Sequence, residues 1–145
     1  MTTRVLLAED NADHAFFTVR AFRSVHGDSV EIETVPDGEQ ALDYMHRRGA
    51  YADRQRPHLV ILDIRMPRVD GLTVLQEIKE NADLRSIPVV VLSSSDRADD
   101  IEDTYRRGGN SYVTKPSTLD GLRHGVRDLA TYWVEVATLP QLASD

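Results

Sequence analysis

Along this chain, short runs of consecutive apolar residues alternate with longer stretches in which apolar positions recur every three or four residues. The short runs are RVLLAE (4–9), VEIETV (30–35), HLVILD (58–63), IPVVVLS (87–93) and SYVTK (111–115). Three of them are continuous in Val, Ile and Leu, as expected of strands covered on both faces in a parallel sheet. The longer stretches predict helices. The first carries Ala15, Val19, Phe22 and His26 on one face. The second opens at Asp37 with Gln40 at capping-box spacing and closes at RRG, 47–49. The third runs from Leu72 to about Asn81 with Leu72, Leu75 and Ile78 inward. The fourth carries Ala98, Ile101 and Tyr105 inward and closes at RRG, 106–108. The fifth opens with Ser117 as its cap and Asp120 at its third position.

Five strands alternating with five helices predict an α/β fold, doubly wound, with a parallel sheet. Right-handed crossovers leave few topologies, of which the flavodoxin-like order 2-1-3-4-5 is the commonest at this size. In that order, ligands bind beyond the carboxyl ends of the strands, between strands 1 and 3. The sequence places Glu9 and Asp10 at the end of strand 1, Asp63 at the end of strand 3, Ser93 at the end of strand 4 and Lys115 at the end of strand 5. Three carboxylates in one place repel unless a cation offsets them. Their oxygen donors suit Mg²⁺, and a nearby lysine supplies a fixed positive charge. Such a set fits phosphoryl transfer, in which a carboxylate can itself be the acceptor and form an aspartyl phosphate.

Size and composition narrow the function further. With 145 residues there is room for one domain. A net charge of −7 argues against binding nucleic acid through its phosphates. There is no cysteine, hence neither disulfide framework nor thiolate chemistry. The N-terminus has too short an apolar run for a signal peptide, and no run approaches a membrane span, so a cytoplasmic location is expected. The arginines of HRRGAYADRQRPH are read as serving a helix C-terminus. His14, His26, His46, His58 and His124 lack metal-ligand spacing and are read as surface or edge residues. Gly71, Gly108 and Gly109 are read as turn and cap residues, and SSS at 93–95 lacks the surroundings of a nucleophile elbow.

The residues together resemble the receiver domains of two-component response regulators. The resemblance runs from Arg4 to about Leu129 and rests on AEDN, LDIRMPRVDG, PVVVLSSS and GGNSYVTKP in that order. It implies that Asp63 accepts a phosphoryl group from a histidine kinase, and that Glu9, Asp10, Asp63 and the backbone carbonyl of Arg65 hold Mg²⁺. Lys115 would pair with the phosphoryl oxygens, Ser93 would move toward the phosphate, and Tyr112 would rotate inward behind it. The Lys115–Pro116 bond is expected to be cis. Arg65 and Ser95, each two residues beyond a key group, should border the route of an attacking water. Serine at 93 replaces the commoner threonine, Ser94 stands where a small apolar residue is usual, and Gly109 where alanine is. More narrowly, RRGAYADRQRPH, NSYVTKP and YWVEVATLP resemble the single-domain response regulators that serve bacterial phytochromes.

The receiver domain is expected to span 1–130, with 131–145 as a helical extension and tail. Leu119, Leu122, Val126, Leu129, Trp133 and Val136 follow the spacing of a heptad seam. The first four should pack on the domain's own sheet. The overrun predicts a homodimer interface through Tyr132, Trp133, Val136 and Leu139; the alternative is a tail folded back on its own domain. The functional expectation is a signalling phosphoacceptor, an enzyme only toward its own phosphorylation and dephosphorylation. Two alternatives are a receiver-like interaction module never phosphorylated in use and an aspartate-nucleophile phosphatase. The phosphatase would need a second aspartate where Arg65 stands.

Overall fold

The computed structural model describes residues 2–142. Five parallel strands, β1 (Thr3–Ala8), β2 (Val30–Val35), β3 (Leu59–Leu62), β4 (Val89–Ser93) and β5 (Ser111–Thr114), form one sheet in the order β2-β1-β3-β4-β5. The helices are α1 (Ala12–His26), α2 (Gly38–Met45), α3 (Gly71–Glu80), α4 (Ala98–Arg106) and α5 (Leu119–Ala130). The architecture is therefore the doubly wound α/β fold expected.

The continuous apolar strands explain why both faces are covered. Alternate residues point to opposite sides of a strand. Leu6, Ala8, Val60 and Leu62 pack with Leu42 and Met45 of α2 and with Leu75 and Ile78 of α3. Val5, Leu7, Leu59 and Ile61 pack on the other side with Phe22 of α1 and with Leu122 and Val126 of α5. Every residue of β3 and β4 is buried, so these strands have no polar face.

Several local expectations need correction. In α4 the buried residue is Thr104, while Ala98 and Tyr105 face solvent. The Thr104 hydroxyl donates to the Asp100 carbonyl, and this bond lets a polar residue sit inward where the apolar pattern misleads. The α5 cap is Thr118, not Ser117; its hydroxyl accepts from the Gly121 N–H. The end of α2 is also reshaped. Arg47 takes the left-handed conformation (φ 56°), and the Arg48 N–H reaches back to the Asp43 carbonyl. At the matching end of α4 the left-handed residue is Gly108 (φ 98°), the usual choice.

The histidine reading fails at three positions. The His58 imidazole is buried and its Nδ1 accepts from the Arg4 N–H at 3.0 Å. The His26 side chain is buried too, with Nε2 3.1 Å from the Ala130 carbonyl oxygen and Nδ1 3.5 Å from Glu135. His14 lies at the functional site.

Beyond α5 the helix widens. Thr131–Val136 winds as a π-helix, closed by the Ala137 N–H on the Tyr132 carbonyl at 2.7 Å. The chain then folds back on its own domain. Trp133, Val134 and Leu139 pack against the α1/α5 half of the core, and Leu142 against the α2/α3 half. Val134 and residues 137–141 thus border a cleft with Thr3 and His58 at the amino ends of the strands. Trp133 and Leu139, expected at an interface, are partly covered by their own core, while Tyr132 and Val136 remain exposed. Leu119, expected on the sheet, is exposed as well. The last part of the expected tail, 143–145, lies outside the described residues.

Candidate functional site

Each chemically distinctive residue stands at or just past the carboxyl end of a strand, and the sheet's hydrogen bonding holds it there. The Glu9 N–H donates to Val35 O at 3.0 Å, Asp63 N–H to Ala8 O at 3.0 Å, and Lys115 N–H to Ser93 O at 2.7 Å. The ladder therefore runs one residue beyond the strands, and the backbone under the three charged groups is fixed by the same bonds that build the fold. Asn11 caps α1 by accepting from Asp13 N–H and His14 N–H, so the helix begins immediately after the acidic pair. Gly71 opens α3 against the Asp63 backbone: a Cβ there would sit 2.0 Å from the Asp63 carbonyl oxygen. Its role is close approach, not merely the turn expected from sequence.

The side chains converge. Glu9, Asp63 and Lys115 are buried, and Asp10 is exposed at the rim. The Lys115 Nζ donates to Asp63 Oδ2 at 2.9 Å and to Glu9 Oε1, and lies 3.0 Å from His14 Nδ1. Glu9 Oε2 accepts from the Asn11 N–H at 3.1 Å, and Asp63 Oδ1 from the Arg65 N–H at 3.2 Å. Glu9, Asp10 and Asp63 each offer an oxygen within 4.8 Å of the others. One ammonium thus faces three carboxylates, and the balance is incomplete. Burial pushes the Glu9 carboxyl up to about 7, opposed by its hydrogen bond to Lys115 and reinforced by the neighbouring Asp63 charge. For Lys115, burial works to lower the pKa, but the hydrogen bonds to Glu9 and Asp63 and their charges outweigh it and raise it. His14 is held below its ordinary value by burial and by the Lys115 charge.

This shortage of positive charge is what a divalent cation would correct. The donors are hard oxygens, close enough to share one ion, and two of the three are buried. Such a set fits Mg²⁺ or Mn²⁺.

The remaining expected residues lie on the adjoining loop. Ser93 is fully buried, and its Oγ accepts from the Ser95 N–H at 3.3 Å. The Tyr112 hydroxyl donates to the Ser95 carbonyl at 2.6 Å, and Tyr112 is already half-buried. The expected cis bond is absent. Among the described residues no peptide bond is cis, so Lys115–Pro116 is trans. Trans is the lower-energy form of an X-Pro bond by about 0.5–1 kcal/mol. The Lys115 N–H on Ser93 O already aims the lysine without it. His14 is the site residue that sequence reasoning missed. The signal available was its place in the first turn after the Asn11 cap, facing the acidic pair.

Fold, strand-end acids and buried lysine define a class, and similarity to known proteins agrees. Residues 5–127 match the response regulator receiver domain, and the chain belongs to that family, whose members are signalling proteins of two-component systems. Among curated relatives, it is 42% identical over 132 residues to the probable methanogenesis regulatory protein FilR2 of Methanothrix harundinacea, covering 90% of this chain and 83% of that one. It is 36% identical over 136 residues to response regulator Rcp1 of Synechocystis, covering 94% and 92%. The Mn²⁺-bound structure of Rcp1 superposes with a TM-score of 0.92 at 35% identity, over 96% of this chain and 99% of that one. The phosphorylated cyanobacterial phytochrome response regulator RcpA superposes with a TM-score of 0.94 at 38% identity, over 97% and 100%. Among the described residues, no helix is long and apolar enough to cross a membrane.

Proposed function

We propose that this protein is a phosphorylation-controlled switch in which Asp63 accepts a phosphoryl group from the phosphohistidine of a histidine kinase. The observation that carries the reading is the buried Asp63 carboxylate, 2.9 Å from the Lys115 ammonium and grouped with Glu9 and Asp10. An Asp63 oxygen attacks phosphorus, the bond to the donor's leaving group breaks, and an aspartyl phosphate remains. Lys115 compensates charge on the transferred group, and the Ser93 hydroxyl donates to one of its oxygens. Glu9, Asp10, Asp63 and the Arg65 carbonyl would hold Mg²⁺, which supplies charge neutralisation and orientation of the phosphoryl group. Ser93 and Tyr112 carry the change to α4, β5 and α5. The protein's chemistry is confined to its own phosphorylation and dephosphorylation.

The direct test is treatment with acetyl phosphate and Mg²⁺, followed by location of the modified residue. Label is expected on Asp63, none with Asp63→Asn, and none in excess chelator. Label on another residue, or turnover of phosphate esters in catalytic amount, would overturn the reading.

The partner kinase is read as a bacterial phytochrome, on the likeness to RcpA over essentially the whole of both chains. Faster phosphotransfer from a phytochrome kinase than from unrelated histidine kinases checks this. The likeness to FilR2 makes a kinase of another input class the informative competitor. The protein is further read as a cytoplasmic homodimer joined through α5 and the exposed Tyr132 and Val136. Sedimentation showing a monomer at high micromolar concentration, with and without phosphorylation, would remove the dimer.

A further inference from the structure

Two residues flank the acceptor without belonging to its charged cluster: Arg65, two beyond Asp63, and Ser95, two beyond Ser93. They sit on different loops, yet both reach the same atom. Arg65 Nη2 lies 3.2 Å from Asp100 Oδ2, and the Ser95 hydroxyl donates to that same oxygen. Asp100 is in the first turn of α4, and its side chain is 15% exposed against 66% for Arg65. The backbones of both partners are tied to the site. Arg65 N–H donates to Asp63 Oδ1, Ser95 N–H donates to Ser93 Oγ, and Ser95 O accepts from Tyr112. One carboxylate on α4 thus gathers both loops that border Asp63.

The geometry points to Asp100 as a positioning residue that competes with the phosphorylated acceptor for the Arg65 guanidinium. This rests on Asp63 being the acceptor. In the unphosphorylated protein Asp100 neutralises Arg65 and draws it toward α4. A phosphoryl group on Asp63 carries about −2 charge where the carboxylate carried −1, and it places three acceptor oxygens within an arginine's reach of the Arg65 backbone. Arginine pairs with such a group through two parallel hydrogen bonds, more favourably than through the single contact it makes with Asp100. The guanidinium then leaves Asp100, Ser95 loses a fixed acceptor, and the first turn of α4 is released. Because coupling is reciprocal, removing the Asp100 charge must favour the phosphorylated state. Hydrolysis needs a water oxygen to attack phosphorus as the bond to Asp63 breaks, giving inorganic phosphate and the free carboxylate. An Arg65 seated on the phosphoryl oxygens hinders that attack.

An acid in a first helical turn also favours the helix by itself, so the test must separate the two roles. Wild type, Asp100→Asn, Asp100→Glu, Arg65→Ala and the Asp100→Asn/Arg65→Ala pair are labelled with acetyl phosphate and Mg²⁺. The donor is then removed and the decay of phosphoprotein followed. Asp100→Asn should lengthen the half-life roughly twofold to fivefold, the upper range for an ion pair with one exposed partner. Asp100→Glu should restore it, and the change should vanish when residue 65 is alanine. Hydrogen exchange of residues 94–101 should be faster in phosphorylated wild type, and already faster in unlabelled Asp100→Asn. An unchanged half-life, or the same change with and without Arg65, overturns the proposal, including in a variant whose helix is merely weakened. Failure of wild type to label at Asp63 would instead overturn the reading of the acceptor on which it rests.

Discussion

The two ends of the sheet are built on opposite terms. At the carboxyl ends of the strands, Glu9, Asp63, Ser93 and Lys115 are buried polar groups, and one ammonium bonds two of the three carboxylates grouped there. At the amino ends, the returning chain lays Trp133, Val134 and Leu139 against apolar core, and the buried His58 there bonds the Arg4 backbone through its Nδ1 and its own N–H. One end keeps an electrostatic imbalance that a cation or a phosphoryl group can use. The other, among the described residues, is mainly apolar packing and serves cohesion. Stability and chemistry are thus separated along the strands, and changes at each end should move one without the other.

The largest effect expected is at the reactive end. Asp63→Asn should abolish labelling while leaving unfolding free energy in chelator unchanged or raised by about 1 kcal/mol, since it removes one of the crowded negative charges. A large loss of stability would show that the imbalance is structural after all. At the opposite end, Trp133→Ala should cost about 2 kcal/mol by denaturant unfolding, less than for a fully buried aromatic, with the labelling rate unchanged. A drop in labelling would mean that the two ends are coupled through the sheet.

The pH dependence sharpens the contrast. Glu9 binds its proton more tightly folded than unfolded. That contribution to stability is complete below its ordinary value of 4.5 and is lost as pH rises through about 7. In chelator, unfolding experiments across that window should show a loss of up to about 3 kcal/mol that Glu9→Gln removes. Mg²⁺ should also reduce it. The smallest effect lies just past the end of α2. Arg47→Gly, at a left-handed position where the Arg47 Nε also lacks a partner, should raise stability by about 0.5 kcal/mol with no effect on labelling.

What was legible in the sequence follows the same division. The strand runs and the acids at their ends could be read because both faces of a parallel strand are apolar, and a polar residue interrupting that run marks its end. Strand order brings Glu9, Asp10, Asp63 and Lys115 to the same end of the sheet. Much of what failed depended on partners distant in sequence. His58 and His26 look like surface residues until Arg4 and Ala130 supply their hydrogen bonds. His14 needs Lys115, 101 residues away, to acquire meaning. Thr104 is inward because it bonds within its own helix, and Tyr105 outward although it is aromatic, its hydroxyl accepting from the Tyr112 N–H. The tail reads as an unfinished heptad because periodicity assumes uniform winding.

That last point reaches beyond the tail. A single wide turn at Thr131–Val136 holds one more residue than an ordinary turn, and so offsets whatever follows by about 100°. The stripe from Leu122 to Val136 is therefore broken in phase where α5 ends, and a second copy could not zip along it knob by knob. Any pairing there must be a short crossing at Tyr132 and Val136, and deleting one residue between 131 and 136 would change its angle rather than its strength.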